Sequence, residues 1–269
     1  MGESMNKALL FIYLMMISII ILFLVFFSNQ KIKNVSNAEY NNISYFNKEY
    51  IPRYNSYKKI NPKKSIEDIV TEVNIGLDNP FYSKTNEVKK YSKSMLVNKY
   101  NYLNKDYKPY DLVIVDNTKL SNIAKNAFYE LKNAAKKENL NIIAISGYRS
   151  YSYQEVLYNK YLTVDGKEKA DTYSARPGFS EHQTGLAVDV SNGKTSYMNF
   201  ENTNEFIWMN NNAHKYGFIL RYPKGKEKIT GYIYESWHYR YVGTEISLYI
   251  KKHNITFDEY YVKYIEPFV

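Results

Sequence analysis

Four histidines occur in the chain, and two of them stand among residues whose types and spacing suit a metal site. The first lies in Ser180-Glu181-His182-Gln183-Thr184-Gly185-Leu186-Ala187-Val188-Asp189. Read as a strand, Leu186 to Val190 points Leu186, Val188 and Val190 to one face and Ala187 and Asp189 to the other. Asp189 then lies opposite the apolar face, beside a small residue. Gly185 lets the chain turn so that His182, in the preceding loop, folds back toward Asp189. The second segment is Glu235-Ser236-Trp237-His238-Tyr239-Arg240-Tyr241. The same alternation puts Trp237, Tyr239 and Tyr241 on one face and His238 and Arg240 on the other.

Two histidines and one aspartate make a three-ligand set with an open fourth tetrahedral position, the arrangement of catalytic rather than structural zinc. The chain has no Cys, which excludes disulfides, a lipoprotein anchor and any thiolate metal site. Glu235 stands three residues before His238, so in a regular strand it would face away. It serves the same metal only if Glu235-Ser236 still belongs to the preceding loop. On that condition Glu235 is the general base for water activated at the metal. His214 and His253 fall in helical segments without partner motifs and read as ordinary surface or boundary residues.

Several elements must hold these residues. Lys119 to Leu140 carries Leu120, Ile123, Ala124, Ala127, Phe128, Leu131, Ala134 and Ala135 at helical spacing for one buried face. Ile142 to Ile145 reads as a short buried strand ending at Ser146-Gly147. Ser152-Tyr153-Gln154-Glu155 has the form of a capping box and predicts a helix through about Leu162. Asn204 to Tyr216 predicts a helix ended by Gly217, followed by strands at Phe218 to Arg221 and Trp237 to Val242 and a helix from about Thr244. Helices and short strands without regular βαβ alternation predict an α+β domain: a small antiparallel sheet flanked by helices and carrying the zinc site.

Upstream, Ala8 to Phe27 is an uncharged, almost wholly apolar run, long enough as a helix at ~1.5 Å per residue to span a hydrocarbon layer of ~30 Å. No small-x-small cleavage site comes after it, which favours a retained transmembrane anchor. Residues 1–28 are thus expected to form a cytoplasmic tail and single-pass anchor that sends the rest outside the cell membrane. Residues 29–60, rich in Asn, Lys, Ser and Tyr, read as a stalk, and residues 61–269 as the catalytic domain, with 61–94 an extension. The net charge of +9 belongs to the chain beyond residue 28, because the first 28 residues hold only Glu3 and Lys7. Such an ectodomain suits an anionic cell-wall surface, and no nucleic-acid-binding signature is present.

Three ordered motifs carry a family resemblance: Ser146-Gly147-Tyr148-Arg149-Ser150, then Ser180-x-His182-x-x-Gly185-x-Ala187-x-Asp189, then Glu235-x-Trp237-His238. From about Val97 to Tyr249 the chain resembles the VanY-type D-alanyl-D-alanine carboxypeptidases. These belong to a zinc group that includes D-Ala-D-Ala dipeptidases, lysostaphin-like endopeptidases and the hedgehog domain. The resemblance implies Zn2+ on His182, Asp189 and His238, and Glu235 as the catalytic glutamate. It turns Arg149 toward the active site, to pair with a substrate carboxylate or polarise the scissile carbonyl. Gln154 and Ser180 match substrate-contacting positions. The implied activity removes the C-terminal D-alanine from peptidoglycan stem peptides. L,D-carboxypeptidase action, endopeptidase action and a non-catalytic wall-binding module are the alternatives.

Overall fold

The structure is a computed structural model that describes residues 13–21 and 37–268. Residues 13–21 are helical, and among the described residues no helix is long and apolar enough to cross a membrane. The rest of the span expected over Ala8 to Phe27 lies outside the described residues. The chain divides into two compact units, Met1–Val73 and Asn74–Val269.

The first unit departs from the expected stalk. Its described part carries a helical turn at Asn37–Tyr40, a 3-10 turn at Lys48–Tyr50, helix α1 at Ile51–Ile60 and the start of helix α2 at Ile66–Ile75. Ser65 caps α2, its Oγ accepting from the Asp68 amide at 3.0 Å. Tyr40, Tyr45, Tyr54, Ile69, Val70 and Val73 form a buried cluster. Half of that cluster is tyrosine, so apolar rings are interred while polar tips find partners, as where the Tyr45 hydroxyl meets Thr71 Oγ1 at 2.8 Å. A core of this kind has little aliphatic periodicity to betray it. The division between the two compact units lies between Val73 and Asn74.

The second unit is α+β. Strands β1 (Asn86–Glu87) and β2 (Asn101–Tyr102) form a short parallel pair, and β3 (Leu112–Val115) and β4 (Thr118–Ser121) form a hairpin. Helix α3 (Asn122–Lys137), β5 (Ile143–Ser146), α4 (Tyr151–Tyr173), β6 (Ala187–Ser191), α5 (Asn204–Asn212), β7 (Phe218–Leu220), β8 (His238–Tyr241), α6 (Thr244–His253) and α7 (Phe257–Tyr264) come next in the chain. β5, β6, β8 and β7 make one antiparallel sheet in that order.

The apolar face of the sheet is the one the alternation predicted. Val188, Val190, Tyr239 and Tyr241 share a core with Phe218 and with Ala124, Phe128, Leu131 and Ala135 of α3. Removing a side chain such as Phe128 from water contributes about 1.5 to 3 kcal/mol. Ile123, expected on that face, is 44% exposed because the buried stripe of α3 runs through Ala124, Phe128, Leu131 and Ala135 and leaves Ile123 to one side. Ile219 belongs to a separate cluster with Ile250 of α6 and Phe257 of α7.

The helix expected from Ser152 to about Leu162 starts earlier and runs further. Ser150 is its cap, accepting from the Tyr153 amide at 3.2 Å, and α4 continues to Tyr173 across a break at Gly166. With φ 74° and ψ 166°, Gly166 leaves helical geometry for a single residue, which costs glycine little.

Candidate active site

Two of the three expected metal ligands come from neighbouring strands. In the β6–β8 register Asp189 lies directly across from His238, and both project from the face opposite the α3 core. The closest approach between them is 3.1 Å, from Asp189 Oδ1 to His238 Nδ1. The third ligand, His182, sits in a 3-10 turn at Glu181–Thr184 just before β6. Its Nε2 is 3.3 Å from Asp189 Oδ2, and its Nδ1 is 2.6 Å from the Gly147 carbonyl.

Two glycines make that turn possible. Gly185 ends it at φ 68°, where a Cβ would come within 3.0 Å of Leu112 Cδ2. Gly147 lies against β4 so closely that a Cβ would stand 2.3 Å from the Lys119 carbonyl oxygen. The same crossing seats the next residue, Tyr148, whose amide donates to Lys119 O at 2.7 Å. Arg149 comes after it, its amide donating to the His182 carbonyl at 3.2 Å. The Ser-Gly-Tyr-Arg motif is thus a strap that both orients His182 and brings Arg149 beside it.

Glu235 meets the condition set for it by sequence. It precedes β8 in a turn closed by the His238 amide donating to the Glu235 carbonyl at 3.3 Å, and its Oε2 comes within 3.6 Å of His238 Nδ1. Burial pushes the Glu235 carboxyl up to about 8, with the Asp189 and Glu181 charges adding to the rise and His238 and Arg149 opposing it. Burial, aided by the Arg149 charge, lowers the His182 imidazole to about 4 and so keeps it neutral, the form in which imidazole binds metals.

Among the described residues, His182, Asp189 and His238 form a group whose ligand atoms all lie within 4.8 Å of one another. His182 Nε2 and Asp189 Oδ1 are buried without a hydrogen-bond partner among the described residues. Buried nitrogen and oxygen acceptors left unsatisfied at one point are what a cation would satisfy, and a donor set of two imidazoles and one carboxylate fits zinc.

The remaining expected residues take different places. Arg149 is half-buried, with Nε buried and unpartnered among the described residues. Gln154 is buried and donates from Nε2 to the Ala175 carbonyl at 2.8 Å, and its Oε1 has no hydrogen-bond partner among the described residues. Ser180 is buried and caps the ligand turn, its Oγ accepting from the His182 amide at 3.3 Å. A groove of about 810 Å³, lined by Tyr91, Tyr107 and Tyr110 among others, contains none of these side chains.

Sequence reasoning passed over Glu181. It is 1% exposed and lies against His238, Arg221 and Arg240. The only signal was its position next to a ligand histidine. Tyr197 was also missed; it packs edge-on against Trp237 at 5.2 Å and stands within electrostatic reach of Asp189, Glu235 and Arg149.

The sequence profile of a family described as D-alanyl-D-alanine carboxypeptidase, VanY, matches residues 117–244. A D-alanyl-D-alanine carboxypeptidase of Enterococcus faecium is 32% identical over 247 residues, covering 90% of this chain and 76% of that protein. Among solved structures, the LdcB LD-carboxypeptidase is similar with a TM-score of 0.63 at 39% identity, over 66% of this chain and 90% of that one. A vancomycin-resistance D,D-pentapeptidase VanY, solved in complex with Zn(II), is similar with a TM-score of 0.57 at 32% identity, over 62% of this chain and 98% of that one.

Proposed function

The chain belongs to the VanY-type D-alanyl-D-alanine carboxypeptidase family, and on that premise we propose that it is a zinc-dependent D,D-carboxypeptidase that removes the C-terminal D-alanine from peptidoglycan stem peptides. The observation that carries this reading is the convergence of His182, Asp189 and His238 with Glu235 at their side.

In this reading the two imidazoles and the Asp189 carboxylate hold Zn2+. When bound, the metal supplies a Lewis acid that polarises the scissile carbonyl and acidifies water. Glu235 takes the proton of the attacking water as its oxygen adds to the carbonyl carbon, and returns that proton to the D-alanine nitrogen as the C–N bond breaks. A buried carboxyl with a raised proton affinity suits both halves of that transfer. Arg149 pairs with the terminal carboxylate, which distinguishes the end of a stem from its middle. Gln154 Oε1, without a hydrogen-bond partner among the described residues, accepts from a substrate N–H, and Ser180 is the remaining substrate contact.

A second reading is supported by the likeness to the LdcB LD-carboxypeptidase: the same residues acting on tetrapeptide stems, with pocket shape deciding. A non-catalytic wall-binding module is disfavoured because it has no use for Glu235. The apolar run at Ala8 to Phe27 supports a single-pass membrane anchor with the catalytic unit outside, and the basic charge supports attraction to an anionic wall.

The test is incubation of the full chain with synthetic penta- and tetrapeptide stems, read by mass spectrometry. Loss of one alanine from the pentapeptide alone is expected. Loss from the tetrapeptide alone replaces the reaction with the L,D one, and release from neither in the presence of zinc refutes the carboxypeptidase reading.

A further inference from the structure

Behind His238 lies a buried acid that the proposed reaction does not use. Glu181 has a side chain with no exposed surface, and its two carboxylate oxygens are treated unequally. Oε1 accepts from Arg221 Nε at 2.8 Å and from Arg240 Nη1 at 2.9 Å. Arg221 is in turn held by Asp258 at the start of α7, through Nη1 to Oδ2 at 2.6 Å. Oε2 faces His238 Nε2 at 3.5 Å, and neither atom has another hydrogen-bond partner among the described residues. On the other edge of the same imidazole, Nδ1 points to Asp189 and Glu235.

We propose that Glu181 is a positioning residue for the metal site: its Oε2 accepts the Nε2–H of His238 and so fixes the imidazole with Nδ1 as the metal-binding nitrogen. Two orphaned buried atoms face each other, and one proton between them satisfies both. A histidine ligand whose second nitrogen donates to a carboxylate is held in orientation and gains basicity. The two ligand histidines are then of opposite type. His182 donates from Nδ1 to the Gly147 carbonyl and binds through Nε2, whereas His238 donates from Nε2 and binds through Nδ1.

Glu181→Gln separates this role from simple core filling. It is isosteric, and the two guanidinium groups, which only donate, keep the amide oxygen on their side. The amide NH2 is thereby turned toward His238 Nε2, where it opposes the Nε2–H that Nδ1 binding requires.

The inference rests on the zinc reading of the site. It is tested by long-range proton–nitrogen NMR of the zinc-loaded full chain, together with zinc affinity measured by chelator competition. The expected result is zinc on Nδ1 of His238 with a proton on its Nε2, and zinc on Nε2 of His182. Glu181→Gln is expected to weaken zinc binding about 10- to 100-fold. Zinc bound through Nε2 of His238, or affinity within twofold of the parent in the variant, overturns the inference and leaves the enzyme reading intact. Absence of zinc from the parent overturns both. Should Glu181→Gln not fold, the nitrogen identity in the parent decides alone.

Discussion

Asp189 and His238 face each other across the β6–β8 register, with Asp189 Oδ1 3.1 Å from His238 Nδ1. Two of the proposed metal ligands are therefore spaced by a backbone ladder, and only His182 depends on a loop.

This pairing predicts one zinc per chain. Metal analysis of the purified protein should give near-stoichiometric zinc, and His238→Ala should lose most of it because two remaining ligands do not close a tight site. Unchanged zinc in His238→Ala would show that the metal lies elsewhere.

The loop ligand depends on the crossing of Gly147 over β4. A methyl group there would stand 2.3 Å from the Lys119 carbonyl, so the strap must shift. Gly147→Ala is expected to destabilise the fold by roughly 1 to 3 kcal/mol, in the range of core overpacking, and to lower zinc affinity through the lost His182 orientation. Urea unfolding and zinc titration check this, and a variant with both properties unchanged would mean the strap is not needed.

Arg149 offers a separate prediction about substrate choice. Its planar fork suits bidentate pairing with a carboxylate, which Lys cannot reproduce. Arg149→Lys should lose much of the rate on free stems. Amidating the substrate's C-terminus should slow the parent severely and the variant little further. Multiplying defects would instead assign Arg149 to the oxyanion. Equal cleavage of free and amidated stems by the parent would favour an endopeptidase.

The proposed placement is checked on cells stripped of their wall. Added protease should digest the catalytic unit while leaving the anchor segment in the membrane fraction. Full protection would contradict an outward-facing domain.

Much of the site was legible because strands write their faces with period two: Asp189 and His238 emerge directly from the alternation around Val188 and Tyr239. The place of Glu235 was legible only as a condition, since whether residues 235–236 are loop or strand depends on where β8 begins. Glu181 was not legible, because its burial is set by Arg221 and Arg240, which lie 40 and 59 residues away in sequence. The helices of residues 37–60 were hidden for another reason. Their core is built from Tyr40, Tyr45 and Tyr54, whose rings bury while their hydroxyls keep a polar signature. The longer α4 was misjudged because a plausible capping box at Ser152 stood two residues inside the true cap at Ser150.

The most direct test is turnover of a pentapeptide stem by a zinc-loaded Glu235→Gln chain. Glu235 lies beside the proposed ligands and is the base of the proposed reaction, so the variant should hold zinc as the parent does and release D-alanine at least about 100-fold more slowly. Release within a few-fold of the parent rate, with zinc bound, would contradict the assignment of Glu235 and place the base on another residue.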